Sequence, residues 1–223
     1  NGGSENLNMP KPDFVCCCNN ICNEVIKWYE SLARELNIPL IMIDTAYNNS
    51  GEVSQSRIDY FVAQFKEAAN QLEKISGKKF DPKKLEEVMA ISSENGKLWK
   101  ESMSLSKDVY PAPMNGFDLF SYMAVIVCYR GKKETTEAFK LLISELKEHI
   151  KNGTTSNRCE EKYRIMFEGI ACWPWLRATA TGLKSRGINM VTTIYADAFG
   201  FIYDDFDGMC RAFPHASCTG HLS

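Results

Sequence analysis

Residues 13–27 read D-F-V-C-C-C-N-N-I-C-N-E-V-I-K, and this stretch determines the fold class. The apolar run 14–18, two asparagines and then apolar residues at helical spacing predict a strand, a turn and a helix. Because asparagine is a favoured N-cap, Asn19 or Asn20 is expected to cap the helix and to place Cys22 in its first turn. The positive end of the helix favours a thiolate there. Cys22 is therefore a candidate ligand of a metal or a cluster.

A second apolar run, 40–44, ends in an acid, Asp44. Two such runs joined by a helix form a parallel β-α-β unit, and ligands of parallel sheets bind at the carboxyl ends of the strands, where Cys18 and Asp44 are expected. The same order recurs in the second half of the chain, as a strand over 164–171, Cys172, a helix over 176–186, a strand over 190–195 and then Asp197. We therefore expect two α/β units of similar design, with a cleft between their strand ends.

The residues between these two units show helical periodicity. Four helices are predicted there: 54–76, Pro82 to a break at Tyr110-Pro111, 117–129 and 135–151. Gly77 is expected to end the first helix, Asp81 to cap the second, and Gly96 to weaken the middle of the second. The chain is accordingly divided into part of a first α/β domain (1–53), a helical linking or insertion segment (54–158) and part of a second α/β domain (159–223).

Both α/β domains are expected to be incomplete. Two strands in each leave long unpaired edges and too little sheet to fold alone, so the chain resembles the middle of a longer protein. Residues 214–223 are small and polar and continue no pattern. They are interpreted as a loop, as residues foreign to the natural protein, or as a junction over missing sequence.

Composition excludes several classes of protein. The 223 residues are 44% hydrophobic, enough for packed cores. A net charge of -2 provides no excess of positive charge for binding nucleic acid. No apolar run approaches the roughly 20 residues that cross a bilayer. The polar N-terminus lacks the apolar core of an export signal, so a reducing cytoplasm is expected. The nine cysteines then indicate free thiols or ligands instead of disulfides.

Five longer motifs occur in order along the chain. They are P-D-F-V-C-C-C-N-N-I-C-N at 12–23, K-W-Y-E at 27–30, I-P-L-I-M-I-D at 38–44, N-G-F-D-L-F at 115–120 and I-M-F-E-G-I-A-C-W-P at 165–174. Together these motifs resemble the 2-hydroxyacyl-CoA dehydratase family, and most nearly its 2-hydroxyglutaryl-CoA dehydratase α subunits. The resemblance extends from about residue 9 to residue 212.

The resemblance implies a cytoplasmic enzyme of amino-acid-fermenting anaerobic bacteria, built as a heterodimer of related subunits. Each subunit has two flavodoxin-like α/β domains, here joined by the helical segment. Three cysteines hold a [4Fe-4S] cluster with one iron open to the substrate, and a flavin in the partner subunit is a further cofactor. An ATP-dependent iron-sulfur activator donates one electron. A ketyl radical then allows an (R)-2-hydroxyacyl-CoA, 2-hydroxyglutaryl-CoA in particular, to lose water and form 2-enoyl-CoA.

Only one of the three ligand positions of the family has a match here. The cysteine of N-N-I-C-N is Cys22, whereas the first ligand is expected upstream of Asn1 and the third beyond Arg211. Cys218 lies in A-S-C-T, which is weakly similar to the N-R-S-C-K segment that holds the family's third ligand. The resemblance therefore assigns Cys22 to the cluster and offers Cys218 as a weak candidate.

Three consecutive cysteines lie on the first predicted strand. Strand alternation sends neighbours to opposite faces, and cysteine is among the most often buried residues, so a core role is favoured for Cys16, Cys17 and Cys18. Cys18 alone is close enough to the strand end to be a weaker candidate ligand as well. The spacing Cys18-x3-Cys22 also permits a simple zinc-binding module, although no second ligand pair is visible.

The corresponding stretch of the second unit offers candidates as well. Glu168 is a candidate proton acceptor or a structural acid, and Cys172 either lines the substrate cleft or packs under its turn. Trp173 and Trp175 either stack on the adenine of CoA or cover the sheet, and a core role is favoured. A rival from another class is a scaffold subunit that binds its partner and CoA without a redox centre.

Overall fold

The computed structural model describes residues 10–19, 22–45, 52–157 and 159–218, with side chains up to residue 212. Within these ranges the chain is a mixed α/β protein with two short parallel sheets. The strands are β1 Val15–Cys18, β2 Leu40–Ile43, β3 Tyr163–Phe167 and β4 Ile188–Thr193. The helices are α1 Asn23–Leu36, α2 Gln55–Ser76, α3 Pro82–Lys107, α4 Phe117–Cys128, α5 Lys133–Asn152, α6 Leu176–Lys184, α7 Ile194–Asp197 and α8 Phe206–Cys218. A single 3₁₀ turn, Trp173–Trp175, precedes α6.

The chain forms two compact units. The first contains the described residues up to Lys83 and from Phe206 onward, and the second contains Lys84–Asp205. The predicted parallel pairing is confirmed in each unit, β1 with β2 and β3 with β4. The flavodoxin-like arrangement and the domain boundaries at residues 53 and 158 stay predictions.

In the first unit, β1 and β2 pair in parallel, with Val15 opposite Leu40 and Cys18 opposite Ile43. Helix α1 connects the two strands, and α2 packs against both β2 and α8. The core consists of side chains from β2, α2 and α8: Ile41, Ile43, Ile58, Phe61, Ala68 and Cys210. The carboxyl ends of β1 and β2 therefore lie side by side at one edge of the sheet.

Helix boundaries in both units follow the sequence signals. Gly77, in the left-handed conformation with φ +69°, ends α2, and its N–H donates to Glu73 O at 2.9 Å. The Asp81 carboxylate accepts the Lys83 N–H at 3.0 Å, which confirms the predicted cap of α3. The N-terminus of that helix thus has an acceptor for one of its free amides.

In the second unit, β3 and β4 pair in parallel with a register irregularity between Ile165 and Met166. Helices α3, α4 and α5 share one apolar core with this sheet. Its largest fully buried members are Trp99, Phe120, Phe139, Leu119, Ile126 and Met190. Much of the helical segment thus belongs to the same compact unit as β3 and β4.

Gly96 was expected to weaken the middle of α3, yet the helix continues through it. A Cβ at this position would lie 2.1 Å from the backbone oxygen of Phe201. Glycine is thus required because a backbone segment packs directly against the helix. The isolated glycine marks a close contact and not a break.

Three predicted elements differ from the structure. The strand expected over 164–171 ends at Phe167, because Gly169 adopts φ +103° and turns the chain. The strand expected to reach Tyr195 ends at Thr193, where α7 begins. The prediction that residues 214–223 continue no pattern is wrong up to Cys218, the last residue of α8, and 219–223 lie outside the described residues.

Among the described helices, none combines the length and apolarity that a membrane span requires.

Candidate functional site

Cys22 lies at the junction between β1 and α1. It is the N-cap of α1, with extended backbone angles of φ -119° and ψ 114°, and its carbonyl accepts the Ile26 N–H at 3.4 Å. The half-buried side chain places Sγ 3.8 Å from Glu24 Oε2, in the first helical turn. Cys22 therefore precedes the first turn by one residue, and its sulfur remains partly accessible to solvent.

The prediction that Asn19 or Asn20 caps α1 is wrong, because Cys22 itself occupies the N-cap position. Asn20 lies outside the described residues. The Asn19 side chain bridges to the end of the neighbouring strand instead. Its Nδ2 donates to Asp44 Oδ1, and its Oδ1 accepts the backbone N–H of Thr45. Asn19 thus joins the carboxyl ends of β1 and β2.

Two residues of α2 complete this arrangement, which we call the sheet-edge network: Asn19, Asp44, Tyr60 and Gln64. The Tyr60 hydroxyl donates to Asp44 Oδ2. The Gln64 amide binds the backbone of Asp44 on both sides, accepting from its N–H at 2.6 Å and donating to its carbonyl at 2.7 Å. The hydrogen bond to Asp44 raises the pKa of the Tyr60 hydroxyl, so the phenol stays protonated near neutral pH.

Sequence reasoning found Asp44 but missed Asn19, Tyr60 and Gln64 as its partners. A weak signal exists, because Tyr60 and Gln64 are four residues apart and therefore share one face of α2. They flank the apolar face that packs on the sheet through Phe61. The pattern to look for is a strand followed by an acidic residue and then by a helix. Near its start, that helix carries two polar residues four positions apart beside its apolar face.

The three cysteines of β1 have different surroundings. Cys17 is buried, as predicted, and burial raises the pKa of its thiol. Cys16 is exposed, so the prediction of a core role for it is wrong: its strand face is left uncovered by the described residues. Cys18 is half-buried, packs against the core of the first unit, and accepts the Cys17 S–H on its carbonyl at 3.3 Å. This packing favours a structural role for Cys18.

Cys22 suits one position of an iron site but does not form a complete site alone. Its partly exposed sulfur at a helix start is the kind of soft ligand that iron-sulfur clusters use. Within the described residues, no three His, Cys, Asp or Glu side chains are close enough together to hold a metal ion. Cys218 ends α8, and its side chain lies outside the described part. Further ligands would therefore have to come from other parts of the protein.

The second turn, residues 168–175, is built differently. Glu168 and Cys172 are both exposed, so the alternative that Cys172 packs under the turn is wrong. Trp173 and Trp175 are 50% and 66% exposed, which overturns the favoured core role. The Trp173 ring packs edge to face against the buried Phe120, at a centroid distance of 6.2 Å. The turn therefore presents carboxylate, thiol and indole groups to solvent.

The comparisons with known proteins agree on one family. The family model described as 2-hydroxyglutaryl-CoA dehydratase, D-component, matches residues 2–216. The chain belongs to this family. The resemblance given by the five motifs is thereby confirmed.

Three α subunits of characterised dehydratases are similar to this chain. The (R)-2-hydroxyisocaproyl-CoA dehydratase α subunit of Clostridioides difficile is 65% identical over 96% of this chain and 53% of its own length. The (R)-phenyllactyl-CoA dehydratase α subunit of Clostridium sporogenes is 53% identical, over 95% and 52% respectively. The (R)-2-hydroxyglutaryl-CoA dehydratase α subunit of Acidaminococcus fermentans is 47% identical, over 94% and 44%. The chain thus spans about half the length of the curated relatives that it matches.

Proposed function

We propose that this chain is part of the cluster-bearing α subunit of an enzyme that dehydrates (R)-2-hydroxyacyl-CoA to 2-enoyl-CoA. Family membership supports the reaction class. The observation that carries the proposal is the position of Cys22, a partly exposed sulfur at the helix start beside the carboxyl ends of β1 and β2. Ligands of parallel sheets bind at this edge.

Cys22 would serve as one of three cysteine ligands of a [4Fe-4S] cluster, which when bound brings an electron and an open iron to the substrate. The chain's own contribution is to hold the sulfur at a fixed point beside the sheet edge. Cys18 and Cys218 are weaker candidate ligands, and Glu168 is a candidate proton acceptor in the second unit.

The proposed reaction removes water with no net change in oxidation state. The thioester carbonyl accepts one electron and becomes a ketyl radical, which expels the adjacent hydroxyl group. The resulting radical loses a proton from the next carbon, a proton that is too weakly acidic in the parent thioester. Hydroxide and proton leave as water, and the electron is returned for the next turnover.

The sequence identities to the relatives give information on the acyl chain of the substrate. The relatives named for the isocaproyl and phenyllactyl substrates are 65% and 53% identical, whereas the relative named for the glutaryl substrate is 47% identical. The relative named for the lactoyl substrate, with a short apolar acyl chain, is 40% identical, so the higher identities belong to the larger apolar acyl chains. They favour a large apolar acyl chain over the 2-hydroxyglutaryl group that the motifs first suggested. The proposed partners are a related second subunit, which carries any flavin, and an ATP-dependent iron-sulfur activator in the cytoplasm.

The second candidate is a scaffold subunit that binds its partner and CoA without a redox centre. The observation in its favour is that the described residues alone hold no three-ligand group. The scaffold hypothesis predicts that Cys22 is dispensable, whereas the cluster hypothesis predicts that it is essential.

Anaerobic turnover separates these two candidates. The complete α subunit is produced with its partner, reduced by the activator with ATP, and given (R)-2-hydroxyisocaproyl-CoA and (R)-2-hydroxyglutaryl-CoA in separate assays. We expect enoyl-CoA from the first substrate at the higher rate, and no product from the Cys22→Ala variant. Undiminished turnover by Cys22→Ala would establish the scaffold role instead.

A further inference from the structure

The Asp44 carboxylate has hydrogen-bond donors on both of its oxygens. Oδ1 accepts from Nδ2 of Asn19, the residue after β1, and Oδ2 accepts from the Tyr60 hydroxyl on α2. Its backbone N–H and carbonyl are both bound by Gln64. These hydrogen bonds join Asp44, at the end of β2, to the end of β1 and to α2 at one corner.

This corner fixes the point from which the chain leaves β1. The Asn19 side chain binds Asp44 and the Thr45 N–H, and the Asn19 backbone N–H donates to Ile43 O at 3.3 Å. Cys22 follows three residues later and is itself fixed by the bond from Ile26 N–H to its carbonyl. Asn19 and Cys22, the described residues on either side of positions 20 and 21, thus each have hydrogen bonds that fix their backbone.

We propose that Asn19, Asp44 and Tyr60 are positioning residues that hold the sulfur of Cys22 where the cluster requires it. The inference rests on the proposed function and extends it to three residues that touch neither cluster nor substrate. Groups hydrogen-bonded to a metal ligand typically change metal affinity about 10- to 100-fold when they are removed. Asn19, Asp44 and Tyr60 act through the end of β1, so the lower end of this range is expected. The network supplies that orientation from a strand and a helix, both rigid elements.

An exchange of the two partners tests the proposal. In Asn19→Asp, two carboxylates face each other and the donor to Asp44 is lost. In the double variant Asn19→Asp with Asp44→Asn, the carboxylate at position 19 accepts from the Thr45 N–H and from the new amide. The amide oxygen at position 44 then accepts from Tyr60. The double variant therefore restores every hydrogen bond and moves the negative charge from residue 44 to residue 19.

The complete α subunit, purified anaerobically with its partner, gives the first readout. We expect Asn19→Asp to lose iron to a chelator about tenfold faster than the wild type and to shift the EPR signal of the reduced cluster. The double variant is expected to return both properties toward wild type. Tyr60→Phe, which removes one hydrogen bond and keeps the ring, is expected to show a smaller change in the same direction.

The matched control is Tyr122→Phe, since Tyr122 is another partly exposed helical tyrosine, lies in the second unit, and is 37% exposed compared with 42% for Tyr60. A second readout needs no cluster: in the iron-free protein, mass spectrometry follows alkylation of Cys22. Its rate is expected to rise in Asn19→Asp and to recover in the double variant, while alkylation of the exposed Cys159 stays constant.

Failure of the inference is distinguishable from failure of the proposed function. If Cys22→Ala abolishes the cluster but Asn19→Asp and Tyr60→Phe keep wild-type iron retention, EPR signal and alkylation rate, the positioning role is overturned alone. If Cys22→Ala retains the cluster, the proposed function itself fails. Should Asn19→Asp not fold, as judged by its melting temperature, Tyr60→Phe decides the question.

Discussion

The carboxyl end of β1 is held by polar side chains, whereas the turn after β3 packs on aromatic rings. In the first unit, Asn19, Asp44 and Tyr60 exchange hydrogen bonds at the strand ends. In the second unit, Phe120 packs edge to face against Phe167 and Trp173, at centroid distances of 5.7 and 6.2 Å. The same order of strand, cysteine and helix is therefore supported by two different kinds of interaction.

The difference shows that two segments with the same order of secondary-structure elements need not have the same chemical role. Cys22 and Cys172 occupy corresponding places in the sequence pattern, but only Cys22 precedes an α-helix of 14 residues and follows a hydrogen-bonded strand end. Cys172 precedes a 3₁₀ turn of three residues and has exposed indoles beside it. The end of β1 suits a fixed ligand, whereas the turn after β3 presents carboxylate, thiol and indole groups to solvent.

The largest expected effect comes from removing the aromatic support of the second turn. Phe120 is 1% exposed, so Phe120→Ala is expected to lower the free energy of unfolding of the second unit by about 3–5 kcal/mol. Urea unfolding followed by tryptophan fluorescence measures it in a Trp28→Phe background, which leaves Trp99, Trp173 and Trp175 of the second unit as reporters. The control Leu141→Ala, at a side chain 62% exposed, is expected to change it by less than about 0.5 kcal/mol. A loss below about 1 kcal/mol for Phe120→Ala would contradict the aromatic support.

A smaller loss is expected in the first unit from Gln64→Leu. This substitution leaves the backbone N–H and carbonyl of Asp44 without their side-chain partner, which is expected to cost about 2 kcal/mol. The matched control is Gln71→Leu on the same helix, whose amide binds only the exposed Glu67. Equal unfolding free energies for the two variants would show that the sheet-edge network adds nothing to stability.

Stability of the first unit is expected to depend on alkaline pH through Cys210. Burial, together with the charge of Asp207, raises the pKa of the Cys210 thiol to about 11. An unfolded thiol ionises near about 8.5, so above that pH the unfolded state releases a proton that the folded state keeps. The free energy of unfolding then falls by up to about 1.4 kcal/mol per pH unit until the folded thiol also ionises.

The measurement for this effect is urea unfolding between pH 7.5 and about 9.5 under reducing conditions, for the wild type and for Cys210→Ala. The alanine variant is expected to be less stable at neutral pH, because it leaves a cavity, but to show a shallower decline with pH. Parallel pH profiles for the two proteins would rule out Cys210 as the cause.

The smallest expected effect is a difference in unfolding free energy between variants of Trp173 and Trp175, the two indoles of the second turn. Trp175 is 66% exposed, so Trp175→Ala is expected to change the unfolding free energy by less than about 0.5 kcal/mol. Trp173→Ala also removes the ring contact with Phe120 and is expected to cost about 1 kcal/mol more. The same urea titration measures both, and the reverse order would show that Trp175 is the packed ring.

The local elements could be predicted because their signals are local. The apolar run ending at Cys18, the helical spacing from Gln55 to Ser76 and the stop at Gly77 are each contained in a few neighbouring residues. Asp81 likewise caps α3 two residues before Lys83. The family could be identified for the same reason, since its motifs are contiguous stretches of sequence.

The partners of the site could not be predicted, because they are distant in sequence. Asn19 favours a helix cap by local propensity, but a carboxylate 25 residues away forms the bond instead. Trp173 was assigned to the core on hydrophobicity, although exposure depends on what packs around the turn. The helix up to Cys218 has no strong apolar period after residue 213, so tertiary packing of its first turns on α2 decides its formation.

The most direct test is iron and sulfide analysis with EPR on the complete, anaerobically purified α subunit and on two matched variants, Cys22→Ser and Cys172→Ser. The account predicts about four iron and four sulfide per wild-type chain, an unchanged content in Cys172→Ser, and loss of the cluster or a marked change of its signal in Cys22→Ser. Full iron content with an unaltered spectrum in Cys22→Ser would contradict the assignment of this sulfur to the cluster.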